Sequence, residues 1–422
     1  MTDPVDPPVT PGFRREALPD PEAVGEDETL AAAIRAEIEA GGPITFARFM
    51  DRALYEPGHG YYRRPDAGPG PAGDFLTSPE AHPIFGAAIG VVLEQAWEAM
   101  GGPSPFVVTE PGAGNGALAA GLLGGLRDTG SPLLPHLRYR PVDLEAARVE
   151  AFRARMAEMG LDGQVEAGDP PATPTETGAV VANEVLDALP VHRVIGHAGG
   201  IRELLVTTTP DGRFETVEGE PSTPLLAERL DAEDVHLEDG QVTEVCLAID
   251  AWLDGAVRHL AAGIVVLVDY AAEPAALHGA ARPTGTLRAF AGHAVGADPF
   301  RHVGRQDLTA TVDLAAFRAA AARAGLDPIG ETTQAELLAA VGTTRLTDAW
   351  LRRPGAGLQD ALHLRSALMR LMDTRGMGGF RVLVFGRGLR PATALPGLAR
   401  ARRPGSAPSF APGERRTGPD GR

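Results

Sequence analysis

The stretch that most constrains this chain is Phe106-Val-Val-Thr-Glu110-Pro-Gly112-Ala-Gly114-Asn-Gly116. A short β-branched run ending in Glu110 reads as a buried strand, and glycines at alternate positions then break it. Leu118, Leu122, Leu123 and Leu126 follow at helical spacing, which predicts a helix over 117–126. The glycines therefore sit between a strand's carboxyl end and a helix's amino end, where open α/β sheets bind ligands. Lacking a Cβ, they let the loop take positive φ and lie close to a ligand, with the free N–H groups of the helix pointing toward it.

Two ligands compete for such a loop. Gly-Ala-Gly-Asn-Gly-Ala fits the dinucleotide pattern GxGxxG/A, which would rest a pyrophosphate on the helix N-terminus. Glu110 favours the other reading, because a carboxylate beside the loop repels a pyrophosphate and attracts an ammonium. S-adenosylmethionine carries an ammonium and no phosphate, so Glu110, Gly112 and Gly114 become candidates for binding it. A tight turn with no ligand is the third reading.

Charge and residue usage narrow the function classes. The net charge of -17 argues against nucleic-acid binding, which needs basic patches, and suits a cationic substrate. All 39 basic residues are arginine, and without lysine the chain can form no Schiff base and no Walker A phosphate site. A single cysteine, Cys246, excludes intrachain disulfides and cysteine-rich metal sites, and no metal centre is expected. No apolar run reaches the roughly 18 residues of a membrane span. The start of the chain, Met-Thr-Asp-Pro-Val-Asp, has neither a basic nor an apolar stretch, so a cytoplasmic protein is expected.

Along the chain, residues 1–28 read as a disordered acidic arm and 29–100 as an N-terminal helical cover, with helices over 30–38, 46–54 and 84–97. Residues 101–388 read as the ligand-binding core with insertions, and 389–422 as a disordered basic tail. A second strand ends at Asp143, where such folds place an acid on ribose hydroxyls. A third is expected over 165–169, with Asp169 near an adenine. The buried strand 179–182 delivers Asn183 and Glu184 to the sheet edge that carries the glycine loop. Glu184 and Asp187 would share one face if a helical turn follows. Residues 242–260 read as a helix, 264–270 as the central strand, and 285–293 as a loop offering Arg288 and His293 to a substrate. Later helices are expected over 315–324, 333–340 and 358–371, with a last strand over 379–386.

The motifs in order resemble the MidA-like family of class I methyltransferases. They are Phe46-x-x-Phe-Met50, Leu54-Tyr55-x-Pro57-x-x-Gly60-Tyr-Tyr62, Gly73-Asp-Phe-x-Thr-Ser-Pro-Glu80 and the glycine loop, followed by Ala182-Asn-Glu184-x-x-Asp187-Ala-Leu-Pro190, Gly285-Thr-x-Arg288 with His293, Asp307-Leu-Thr309, Thr333-Gln334 and Met377-Gly378. Asp143 stands where that family has Glu, and Phe290 where it often has Tyr. The resemblance implies an α/β fold, a Rossmann-like methyltransferase sheet with an N-terminal helical cover and inserted helices. It also implies S-adenosyl-L-methionine held by Gly73, Asp74, Ser78, Glu110, Gly112, Gly114, Asp143 and Asn183. Glu184 and Asp187 would be catalytic, clamping a guanidinium, and Arg288 and His293 would meet the substrate. Mitochondrial members of the family assist respiratory complex I assembly by methylating an arginine of one subunit, so a protein substrate, including a complex I subunit, is the expected partner. Methylation of a small molecule or another side chain, or an assembly chaperone that binds the cofactor with weak activity, are the alternatives.

Overall fold

The structure is a computed structural model that describes residues 24–64, 68, 76–291, 294–296, 298–389 and 395. The acidic arm lies outside the described residues up to residue 23, and the basic tail lies outside them except at 389 and 395.

A six-stranded sheet forms the centre. Its order is Asp327–Thr333, Arg381–Arg387, Leu260–Asp269, Glu176–Asn183, Phe106–Pro111 and Leu137–Val142. The last four are mutually parallel, and Arg381–Arg387 runs antiparallel to both of its neighbours. Parallel strands covered on both faces must be apolar at nearly every position. Accordingly Ala179, Val181, Ile264, Val266 and Val268 enter one core, while Val180, Ala182, Val265 and Leu267 enter the core on the opposite face.

Helices Ile84–Ala99 and Ala117–Asp128 cover the first face. Their backbones nearly touch, since a Cβ on Gly86 would lie 2.6 Å from the Leu118 carbonyl oxygen. Helices Ile249–Val257 and Leu314–Arg323 cover the second face.

A second, antiparallel sheet pairs Gly200–Thr208 with Ile44–Thr45, His192–His197 and Phe214–Gly219, and His192–His197 with Val242–Val245. Helices Glu28–Gly41 and Phe46–Tyr55 pack with it around Phe49, whose ring lies 5.4 Å from Phe214 and 5.2 Å from Phe300. The stretch expected as one helical cover thus divides. Residues 28–55 belong with this second sheet, and helix Ile84–Ala99 belongs to the core of the central one.

Three local expectations are corrected. Residues 242–245 are a strand, because their backbone pairs with 192–195, and the helix begins only at Ile249. Residues 165–169 form no strand, only an isolated bridge from Val165 to Tyr139. Arg288–Ala291, expected in a loop, is a strand paired with Asp307–Thr309 and Ala294–Gly296.

Candidate active site

Strand order reverses between Phe106–Pro111 and Glu176–Asn183, and at such a point the following segments diverge and leave a crevice at the strands' carboxyl ends. A cleft of about 420 Å³ opens there, lined by Glu110, Gly112, Gly114, Asp143, Asn183 and Glu184 with apolar walls from Leu118, Leu144 and Leu189. Five of the residues expected to hold the cofactor are thereby brought together. Gly114 has φ +53, which disfavours any side chain, and a Cβ there would meet nothing closer than the Gly112 carbonyl oxygen at 4.0 Å. Its N–H donates to Asp143 Oδ2 at 3.0 Å, and Asp143 Oδ1 accepts from the Glu145 N–H at 3.2 Å. Each carboxylate oxygen has a further acceptor position, so Asp143 can bind ribose hydroxyls while holding the loop.

Glu110 is buried and accepts the Tyr139 hydroxyl at 2.7 Å. Burial pushes its carboxyl up to about 8, against the pull of that hydrogen bond. Asn183 donates to Glu184 Oε1 at 2.9 Å, while its own Oδ1 is buried and has no partner among the described residues. A dry carboxyl and an orphaned acceptor on an apolar cleft fit a ligand with an ammonium, as in S-adenosylmethionine, and neither suits a pyrophosphate.

A second cavity of about 400 Å³ shares Glu184 and Tyr62 with the first, and its wall includes Asp187, Asp307, Tyr270, Phe290 and Arg288. Glu184 has φ +51, and the residues after it form a non-helical turn, so the expected helical face does not exist. The turn is fixed instead by Asp269, which ends the neighbouring strand. Its Oδ2 accepts the N–H groups of Val185 at 3.2 Å and Leu186 at 2.8 Å, and its Oδ1 that of Tyr270 at 2.7 Å. Glu184 and Asp187 reach the same cavity by this route. Burial raises Glu184 to about 8, opposed by hydrogen bonds from Ser78 and Asn183, and raises Asp187 to about 7. Tyr62 donates to Asp307 Oδ1 at 2.8 Å, and its ring stacks on Tyr55 at 5.7 Å.

Other expected residues are placed differently. Ser78 does not line the cleft: its hydroxyl donates to Gln334 at 2.8 Å and its N–H to Glu184 Oε1 at 3.0 Å. Asp169 is exposed and lines neither cavity. Gly73, Asp74 and His293 lie outside the described residues. Sequence reasoning missed the positioning role of Asp269, whose place at the end of the most apolar strand was the available signal. It also missed the pairing of Tyr62 with Asp307, 245 positions apart, for which no local signal exists.

Residues 88–332 match the family model described as S-adenosyl-L-methionine-dependent methyltransferase. The chain is 32% identical over 332 residues to the protein arginine methyltransferase NDUFAF7 homolog, mitochondrial, of Drosophila melanogaster, covering 71% of this chain and 72% of that one. It is 28% identical to the human protein arginine methyltransferase NDUFAF7, mitochondrial, over 70% of each. A crystal structure of a Burkholderia thailandensis protein bound to S-adenosyl-homocysteine is 34% identical, with a TM-score of 0.80, covering 92% of this chain and 99% of that one. The curated relatives are mitochondrial proteins, which overturns the expected cytoplasmic location. That expectation rested on the lack of a long apolar run and on the composition of the first residues, both weak physical signals. Matched over more than half its length by the family model, and carrying the glycine loop in the cleft, the chain belongs to the MidA-like family of S-adenosyl-L-methionine-dependent methyltransferases.

Proposed function

We propose that this enzyme methylates an arginine side chain of a protein substrate. The observation that carries the reading is the pair of adjoining cavities that meet at Glu184 and Tyr62. The first offers the groups an S-adenosylmethionine would use, namely Glu110, Asn183, Asp143 and the Gly112–Gly114 backbone. The second offers Glu184, Asp187 and Asp307 between aromatic walls, a setting that suits a planar cation able to form forked hydrogen bonds. The names of the relatives, protein arginine methyltransferases, support the same substrate class.

Bound, the cofactor supplies an electrophilic methyl group. The protein's own work is to align a guanidinium nitrogen with it and to take the proton that nitrogen loses. Guanidinium is a poor nucleophile because it stays protonated, and carboxylates on one edge concentrate its charge there and leave the reacting nitrogen more electron-rich. Glu184 Oε1 is held by the Ser78 N–H and by Asn183, which leaves Oε2 for the substrate. Asp187 stands beside it on the substrate side. Burial raises both carboxyls toward neutral pH, and an entering cation favours their charged form.

Arg288 is exposed at the mouth of the second cavity and suits an acidic feature next to the target arginine. The family resemblance makes a respiratory complex I subunit the first substrate to assay. The test is methyl incorporation from labelled S-adenosylmethionine into an arginine peptide and its lysine counterpart. Label confined to the arginine peptide supports the reading, and label on lysine, or on neither peptide nor complex I proteins, opposes it.

A further inference from the structure

Away from both cavities, three chain segments bring Glu233, His278 and Asp313 together. Glu233 follows helix Leu225–Ala232, His278 follows the short helix Pro274–Leu277, and Asp313 precedes helix Leu314–Arg323. One donor atom from each lies within 4.8 Å of the others. His278 Nε2 is 3.2 Å from Asp313 Oδ2 and 3.8 Å from Glu233 Oε2. Tetrahedral ligands bonded to zinc at about 2.0–2.1 Å stand roughly 3.3 Å apart, close to this spacing.

Two of the three groups are already oriented. Asp313 Oδ1 caps its helix through the N–H groups of Ala315 at 2.8 Å and Ala316 at 3.1 Å, and its Oδ2 is turned to His278. Buried Thr243 places its hydroxyl 2.7 Å from His278 Nδ1. If Nδ1 carries the proton and Thr243 accepts it, Nε2 presents its lone pair to the cluster, the arrangement that outer partners impose on metal-binding histidines.

Glu233 supplies an independent observation. Its side chain is 6% exposed and points toward His278, and apart from the neighbouring Asp313 carboxyl, with which it can share a proton, neither carboxyl oxygen has a hydrogen-bond donor among the described residues. The Arg229 guanidinium, which bears on it electrostatically, has Nη2 committed to Asp250 at 3.1 Å. Two carboxyl groups side by side in such a place require neutralisation, by a shared proton or by a cation.

We propose that Glu233, His278 and Asp313 bind a divalent transition-metal ion, for which zinc suits the one nitrogen and two oxygen donors, as a staple across three segments distant in sequence. Asp313 lies just beyond Thr309, Ala310 and Thr311, which line the second cavity, so the staple would stiffen that wall.

The experiment exposes the untagged full-length protein to zinc, desalts it, and counts bound metal alongside thermal unfolding. One zinc per chain and a raised Tm are expected. Glu233→Gln copies the shape of a protonated carboxyl, so its fold is kept while zinc retention is lost. Thr243→Val is expected to weaken zinc about tenfold to a hundredfold. No zinc retained by the wild type, or equal retention by wild type and Glu233→Gln, would overturn the proposal. The first outcome would leave a shared proton as the neutralising group, and the second would place the metal elsewhere. His278→Ala is expected to lose zinc as well, and should it fail to fold, Glu233→Gln decides.

Discussion

The backbone N–H of Ser78 donates to Oε1 of Glu184 at 3.0 Å across 106 positions of sequence. The contact ties the helical turn Ser78–Ala81 to the junction of the two cavities and fixes one face of the carboxyl group there. The Ser78 hydroxyl has a different task, donating to buried Gln334, which in turn donates to the Leu371 carbonyl at 3.0 Å.

Ser78→Ala separates these tasks. The N–H to Glu184 remains, while Gln334 loses a buried donor, which costs about 1–3 kcal/mol. Denaturant unfolding is expected to show that loss, with S-adenosylmethionine affinity within about twofold of wild type by calorimetry. A tenfold fall in affinity would show that the hydroxyl contacts the cofactor after all.

Gly114→Val attacks the cofactor loop. Valine at φ +53 is strained, and Gly114 lines the cleft. Calorimetry is expected to detect no S-adenosylmethionine binding, with the circular dichroism spectrum unchanged. Undiminished binding by a folded variant would place the cofactor elsewhere.

Glu110 gives a pH signature. Its folded value, raised by burial to about 8 from an ordinary 4.5, means that stability from its neutral form is present at low pH and lost as pH rises toward 8. Glu110→Gln has no such loss. The variant is therefore expected to gain Tm relative to wild type between pH 5 and 8, with the gap levelling above about 8. A gap independent of pH would mean that the carboxyl is charged in the free protein. Saturating S-adenosylmethionine should narrow the gap at high pH, because its ammonium favours the charged carboxylate.

Substrate turnover has its own pH limb. With Glu184 raised to about 8 and Asp187 to about 7 in the free enzyme, kcat/KM is expected to rise across pH 6–8 as the proton acceptors ionise. A flat profile over that range would remove both from the proton-accepting role.

How much of this was legible depended on distance along the chain. The glycine loop and its flanking strand and helix are one contiguous run, so 106–126 could be read directly. Asn183 and Glu184 were legible because a buried strand ending in polar residues delivers them to a known edge. The turn after Glu184 was not, because Asp269, which shapes it, lies 83 positions from Leu186. Residues 242–245 carry a strand that only pairing with 192–195 decides, and local apolar spacing favoured the adjoining helix. Ser78 was read as a cofactor-binding residue, and nothing near it in sequence reveals that its hydroxyl reaches Gln334. The cluster of Glu233, His278 and Asp313 left no spacing signal for the same reason.

Glu184→Gln tests the central claim most directly. The amide oxygen can still accept from Ser78 and keep the fold, while the charge and the proton acceptor are gone. Cofactor affinity by calorimetry is expected to stay within about threefold, and methyl transfer to an arginine peptide to fall by about 100-fold or more. Loss of affinity and turnover together, or turnover near the wild-type rate, would contradict the account of Glu184 as the acid that joins the two cavities.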